Sequence, residues 1–375
     1  MKQHNRIISD TYTISANQCI GMSYTRKEKL RELVYNTYGN SSIATANKLN
    51  IFVDLYSVLH GLYSENNRIV IDNVTDISSS IINLCAHYRS FFRDPSLGVD
   101  TRIFLINSTN TCSINRKFVG EYNSTFFRKT QVTDSYKLIR NNMKLLNILC
   151  PYLPAIYYIE SEQQYETSVI IAYLIEMLND SNPNLIISHD MYPLQLCTQY
   201  KWTSYLYPKK IKDSKGELTD ISWMIPVNDK DNFRYEFWNN FAKHRKLSEK
   251  TVEKLYSISP INYPLLISMH LFPERNLRSI LDISNIIKFI SHIAGDQDIK
   301  IQPMQFITDN ELAYKYPVAA IESRYKAMDV QYMLPFYKSS PEAKNIRLLD
   351  LNDIATVNTI VSKYYANNPI DLQHL

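Results

Sequence analysis

The segment Asn50-Ile51-Phe52-Val53-Asp54-Leu55-Tyr56-Ser57-Val58-Leu59-His60 leaves few architectures open. A short apolar run closes on one carboxylate and turns directly into a helical pattern. In an open α/β sheet, ligands and metals gather at the carboxyl ends of the strands. A carboxylate buried there is costly unless something pairs with it. The run Asn184-Leu185-Ile186-Ile187-Ser188-His189-Asp190 closes the same way far downstream. Two strands that each end in Asp predict a single acidic site built from distant parts of the chain.

The surrounding elements alternate. After a strand at 51–54 the pattern predicts helices at 57–63 and about 76–92, then a strand at 102–106. A helix at about 135–149, opened by Asp134 as N-cap, is followed by a strand at 155–159, a helix at 165–179 and a strand at 185–188. Strands alternating with helices in this way indicate βα units and a mostly parallel central sheet flanked by helices, an α/β fold. Near residue 200 the character changes. Two short edge strands, 202–207 and 222–226, flank the turn 209–217, and the pattern beyond is mainly helical, at 233–246, 248–258, 265–271, 283–294 and about 352–366. The predicted organisation is a polar extension over 1–45 with one helical candidate at 26–38, an α/β domain over 46–228, and a mainly helical C-terminal region over 229–375.

Composition narrows the function. At 375 residues and 45% hydrophobic, the chain can bury a sizeable core. A net charge of +4 is too small to imply nucleic acid by itself. Only seven glycines occur, with no GxGxxG and no GxxxxGK[ST], which argues against Gly-rich phosphate loops. The abundance of Ile and Asn and the 28 tyrosines match the codon bias of an AT-rich genome. The five cysteines, Cys19, Cys85, Cys112, Cys150 and Cys197, form no CxxC pair and read as buried thiols in a reducing compartment. No signal-peptide pattern opens the chain and no apolar run approaches 18 residues, so a protein of the host cytoplasm or a virion, not secreted and not membrane-bound, is expected.

Four places, in order, carry a resemblance. Residues 51–60 join a strand ending in Asp54 to a helix. Arg102-Ile103-Phe104-Leu105-Ile106-Asn107 is followed by Arg116-Lys117. Glu166-Thr167-Ser168-Val169 opens an apolar helix. Ile187-Ser188-His189-Asp190-Met191-Tyr192 follows the last strand. Over roughly residues 48–295 these resemble the flap endonuclease and phage 5′-nuclease family, within the wider PIN-like fold. A weaker fifth place, 265–290, sits where that family has a helical motif gripping duplex backbone. The resemblance implies a phosphodiester-cleaving site in which carboxylates hold Mg2+, a cation that takes oxygen ligands in near-octahedral geometry. It assigns catalytic and metal-holding roles to Asp54, Glu166 and Asp190.

The sequence departs from the family at several of those places. Asn107 stands where the second strand ends in Asp, Ser168 and Val169 where the helix carries two Asp, and Tyr192 where the last motif has its second Asp. Three carboxylates could hold one Mg2+ weakly, and a two-metal clamp is not expected. Asp54 and Asp190 also suit helix caps, and Glu166 suits the positive end of a helix, whatever the function. His189 and Cys197 read as core residues. For nucleic acid, the resemblance points to Arg116, Lys117, Arg275 and Arg278, although the turn 272–279 lacks the family's glycines. Lys243-His244-Arg245-Lys246 equally suits a helix C-terminus. The leading expectation is a degenerate 5′-nuclease-like viral protein, catalytically weak or inactive, acting as a DNA-associated or virion structural component. Its other partners would be viral proteins, met through residues 1–45 or the helical half. An active Mg-dependent structure-specific 5′ nuclease and a protein-binding assembly scaffold are the alternatives.

Overall fold

The computed structural model describes residues 48–55, 75–93, 99–108, 143–161, 165–188, 193–200, 202–212, 218–225, 326–327, 329–365, 370 and 372–375. Six strands form one sheet: β1 Lys48–Asp54, β2 Asp100–Ser108, β3 Ile156–Ser161, β4 Asn184–Ile187, β5 Thr203–Lys212 and β6 Leu218–Ile225. Their spatial order is β3-β2-β1-β4-β5-β6. The first five are parallel and β6 returns antiparallel to β5. The chain builds outward from β1 through β2 to β3, then starts again on the other side of β1 with β4. The β1/β4 boundary is therefore a topological switch point, the place where open α/β sheets form their ligand crevice.

The expected α/β architecture is the observed one, and its physical cause is plain. Ile51, Phe52 and Val53, Ile103 to Ile106, and Leu185 to Ile187 are all fully buried, because a parallel sheet covered on both faces needs continuous apolar runs. One face presents Leu49, Ile51, Val53, Ile103, Leu105, Leu185 and Ile187 to helix α1 (Thr75–Phe92) and to the helical run 143–149. The other carries a stacked row, Phe52 on Phe104 at 4.9 Å and Phe104 on Tyr157 at 5.1 Å. Helix α2 (Thr167–Leu178) packs on β2, and α3 (Leu194–Gln199) on β5.

At the amino ends of the strands a polar clamp crosses the sheet. Arg102 Nε donates to Asn50 Oδ1 at 2.9 Å, while Asn50 Nδ2 donates to Asp180 Oδ1 at 3.2 Å and to Asn184 Oδ1 at 3.0 Å. Asn184 Nδ2 donates onward to Thr203 Oγ1 at 3.3 Å, and Arg102 pairs with Asp180. Four neighbouring strands are thereby tied at the edge opposite Asp54.

The described part of the C-terminal region folds back onto this sheet domain. Helix α4 (Val330–Ser339) lies on α2, with the buried Tyr337 ring edge-on to Tyr165 at 4.8 Å and to Tyr173 at 5.2 Å. Helix α5 (Pro341–Asn345) follows, opened by Ser340, and α6 (Ile354–Tyr364) is capped by Asp353, whose carboxylate accepts from the Ala355 and Thr356 N–H groups at 3.1 Å each. Tyr365 hydrogen-bonds Ser78 of α1 at 3.0 Å, and the Arg89 guanidinium, wholly buried, donates to the carbonyls of Leu375 and Pro154. The sequence pattern predicted α6 and missed α4 and α5. It also placed β5 and β6 as short edge strands. β5 runs ten residues between β4 and β6, with an irregularity after Pro208, where the missing N–H cannot join a ladder. The helices expected at 26–38, 57–63, 233–246, 248–258, 265–271 and 283–294, and the cap Asp134, lie outside the described residues. Among the described residues no helix is long and apolar enough to cross a membrane.

Candidate functional site

Asp54 ends β1 at the switch point and is 4% exposed. Its Oδ1 accepts a hydrogen bond from Thr167 Oγ1 at 3.2 Å, and its Oδ2 accepts one from Ser188 Oγ at 2.9 Å. Thr167 is the first residue of α2, and Ser188 is the residue immediately after β4. β5 fixes Ser188 in turn. The Tyr205 hydroxyl donates to the Ser188 carbonyl at 2.9 Å, and the Ser188 N–H donates to the Leu206 carbonyl at 3.3 Å. Three chain segments thus converge on one carboxylate. Hydrogen bonds to an ionised acceptor are about twice as strong as neutral ones, which offsets part of the cost of burying the charge.

Glu166 stands at the N-cap of α2 with extended backbone (φ −67°, ψ 146°), half-buried and one residue before Thr167. It caps through its carbonyl, which accepts from Val169 N at 3.0 Å and Ile170 N at 3.3 Å. Asp54 and Glu166 are therefore at the same edge of the sheet. Asp190, the third predicted acid, lies outside the described residues, as do His189, Tyr192, Arg116, Lys117, Arg275, Arg278 and the cluster 243–246.

The sheet register corrects the reading of Asn107. Asp54 pairs with Ile106, so the β2 residue on the Asp54 side beyond it is Ser108. Asn107 belongs to the opposite face with Leu105, and its Nδ2 donates to the Tyr158 hydroxyl at 2.9 Å. Burial, and then the Glu160 charge, push the Tyr158 phenol well above its ordinary pKa, so it stays a neutral partner. Ser108 Oγ donates to the Tyr165 carbonyl at 2.6 Å, and its register partner Ser161 donates to Glu342 Oε2 at 2.9 Å. Glu342 was invisible to sequence reasoning, because it arrives on the short helix α5 from the far end of the chain. Ser168 and Val169 are buried. Cys197 is the buried thiol expected, its pKa pushed up by burial, and burial raises Cys85 to about 12.

The edge is thus lined by hydroxyls, Ser108, Ser161, Thr167 and Ser188, that donate to carboxylates or carbonyls. Among the described residues no group of three or more His, Cys, Asp and Glu stands together to hold a metal ion. Asp54 accepts a hydroxyl on each oxygen, Ser108 is a neutral group on its side of the sheet, and Asn107 belongs to the opposite face. The described donors do not fit a pair of divalent cations.

No family model matches the chain, and no curated protein matches it. Solved structures are similar to it. The catalytic core of Rad2 in complex with DNA substrate is 11% identical, with 89% of this chain and 94% of that one covered, at a TM-score of 0.40. The T5 5′-exonuclease with zinc ions bound is 13% identical, covering 84% of this chain and 99% of that one at a TM-score of 0.38. The bacteriophage T5 D15 flap endonuclease, in a pseudo-enzyme–product complex with DNA and metal ions, is 12% identical, covering 85% and 98% at 0.36. The T5 proteins are by name the kind of nuclease the sequence motifs resemble. At these identities and TM-scores the likeness transfers no residue role, substrate or reaction to this chain.

Proposed function

We propose that the chain is a 5′-nuclease-like protein of viral origin with weak or absent catalysis, acting as a DNA-associated or virion-associated structural component. The observation that carries this reading is Asp54, an acid at the switch point whose two oxygens accept the hydroxyls of Thr167 and Ser188. In-line phosphodiester hydrolysis draws on divalent cations to activate water and to neutralise the leaving oxygen. A carboxylate engaged by protein hydroxyls, beside Ser108 and Ser168 in place of further acids, supplies little of that. On this reading any hold on Mg2+ through Asp54, Glu166 and Asp190 is weaker than millimolar. DNA contact through Arg116, Lys117, Arg275 and Arg278 is electrostatic and without sequence preference, and other viral proteins meet residues 1–45 or the helical half.

The test is a duplex-binding titration over a range of salt concentrations. The expected result is a Kd no tighter than about micromolar near physiological salt, weakening steeply as salt rises. No binding even at low salt would favour the assembly scaffold, and sub-nanomolar binding to one DNA structure would favour a working nuclease.

A further inference from the structure

We infer that Tyr165 is a positioning residue through which the C-terminal segment 329–345 sets the start of α2, and with it the Thr167 hydroxyl on Asp54. Tyr165 immediately precedes Glu166, the N-cap of α2. A bulky residue in that place fixes the angle at which the chain enters the helix. Here the angle decides where Thr167 stands, because Thr167 opens α2 and donates to Asp54 Oδ1. Tyr165 is 3% exposed and is held from two directions. On the sheet side its carbonyl accepts from Ser108 Oγ at 2.6 Å, at the carboxyl end of β2. On the C-terminal side its hydroxyl donates to the Phe336 carbonyl at 3.2 Å, and its ring lies edge-on to Tyr337 at 4.8 Å. Its backbone is thus tied to the sheet and its side chain to α4. The segment that carries Phe336 and Tyr337 is itself pinned along its length. Val330 N donates to the buried Gln195 of α3 at 3.0 Å, Lys338 pairs with Glu176, and the Tyr173 hydroxyl donates to the Ala343 carbonyl at 3.2 Å. Segment 329–345 therefore presents a fixed surface to the Tyr165 side chain. The inference goes beyond the functional reading and does not rest on it, since it concerns how the junction is held, whether or not the junction is active.

The experiment is amide hydrogen exchange of the full chain, resolved to single residues. The reporters are the Val169 and Ile170 amides, which donate to the Glu166 carbonyl in the first turn of α2. Their rates are read relative to the Ser188 amide, which donates to Leu206 on the other side of Asp54, so that a general loss of stability cancels. Tyr165→Phe removes only the hydroxyl bond to Phe336 and should speed the reporters by about fivefold, the scale of one hydrogen bond. Tyr337→Leu, made on α4, should speed them comparably. The double variant should exceed either single change by little, because the two residues act as one contact. Unchanged relative rates in Tyr337→Leu would overturn the inference, since α4 would then not reach the start of α2. Effects that multiply in the double variant would also overturn it, because α4 would then act by a route other than Tyr165. Should Tyr337→Leu fail to fold, Tyr165→Phe carries the test alone, and unchanged relative rates in that variant contradict the proposal.

Discussion

A buried carboxylate survives only where donors meet it, and Asp54 is met by Thr167 and Ser188. Asp54→Ala strands both hydroxyls and should lower the unfolding free energy by about 3 kcal/mol in a urea titration. A loss below about 0.5 kcal/mol would mean the pairing is incidental. The register makes a second prediction. Ser108→Asp adds a carboxylate on the Asp54 side and should create Mn2+ binding detectable by titration calorimetry, whereas Asn107→Asp, facing Tyr158, should not. Equal gains from both would refute the assignment of faces. At the opposite edge, burial raises the Asp180 carboxyl, but the Arg102 guanidinium and Asn182 outweigh it and hold the pKa below the ordinary value. A depressed pKa contributes stability that is complete above the unfolded value near 4 and is lost as pH falls through the folded one. The stability gap between wild type and Asp180→Asn, about 1 kcal/mol at neutral pH, should therefore close as the solution is acidified below about pH 4. A gap that persists there would mean that Asp180 acts through packing.

At the scale of elements, the strands were legible because a doubly covered parallel strand is an unbroken apolar run, and Ile51-Phe52-Val53, Ile103 to Ile106 and Leu185 to Ile187 are such runs. Helix α2 was legible from its apolar length, although it starts at Thr167, with Glu166 as its cap and not inside its first turn. Helix α4 was not. Pro335 within it removes one backbone donor and looks like a break, yet Tyr337, Met333 and Val330 keep one buried face against α2. Local pattern likewise could not show that Ala155 takes left-handed backbone (φ 50°) at the entry to β3, where its N–H meets Asp350 at 3.2 Å. In the site, Asp54 was readable from a strand-ending acid, while the roles of Ser108, Thr167 and Ser188 depend on register and on contacts across the chain. Tyr337→Ala should cost about 3–5 kcal/mol by denaturant unfolding if α4 belongs to the cooperative unit of the sheet. A cost near zero would make α4 a peripheral attachment.

For the whole molecule, the switch point between β1 and β4 is where the strand order turns back, and there Thr167 and Ser188 brace the Asp54 carboxylate. The described C-terminal residues reinforce the sheet on both faces, through α4 on α2 and through Tyr365 and Arg89 on α1. Core packing and the amino-edge clamp do not depend on the site, so the fold by itself does not decide whether the site is active. A cleavage assay on a 5′-flap duplex in Mg2+ and in Mn2+, run side by side with wild type and Asp54→Ala, separates the two outcomes. The expected result is no cleavage above the protein-free control by either form. Robust, metal-dependent cleavage by the wild type that disappears in Asp54→Ala would show a working nuclease and contradict the reading proposed for this chain.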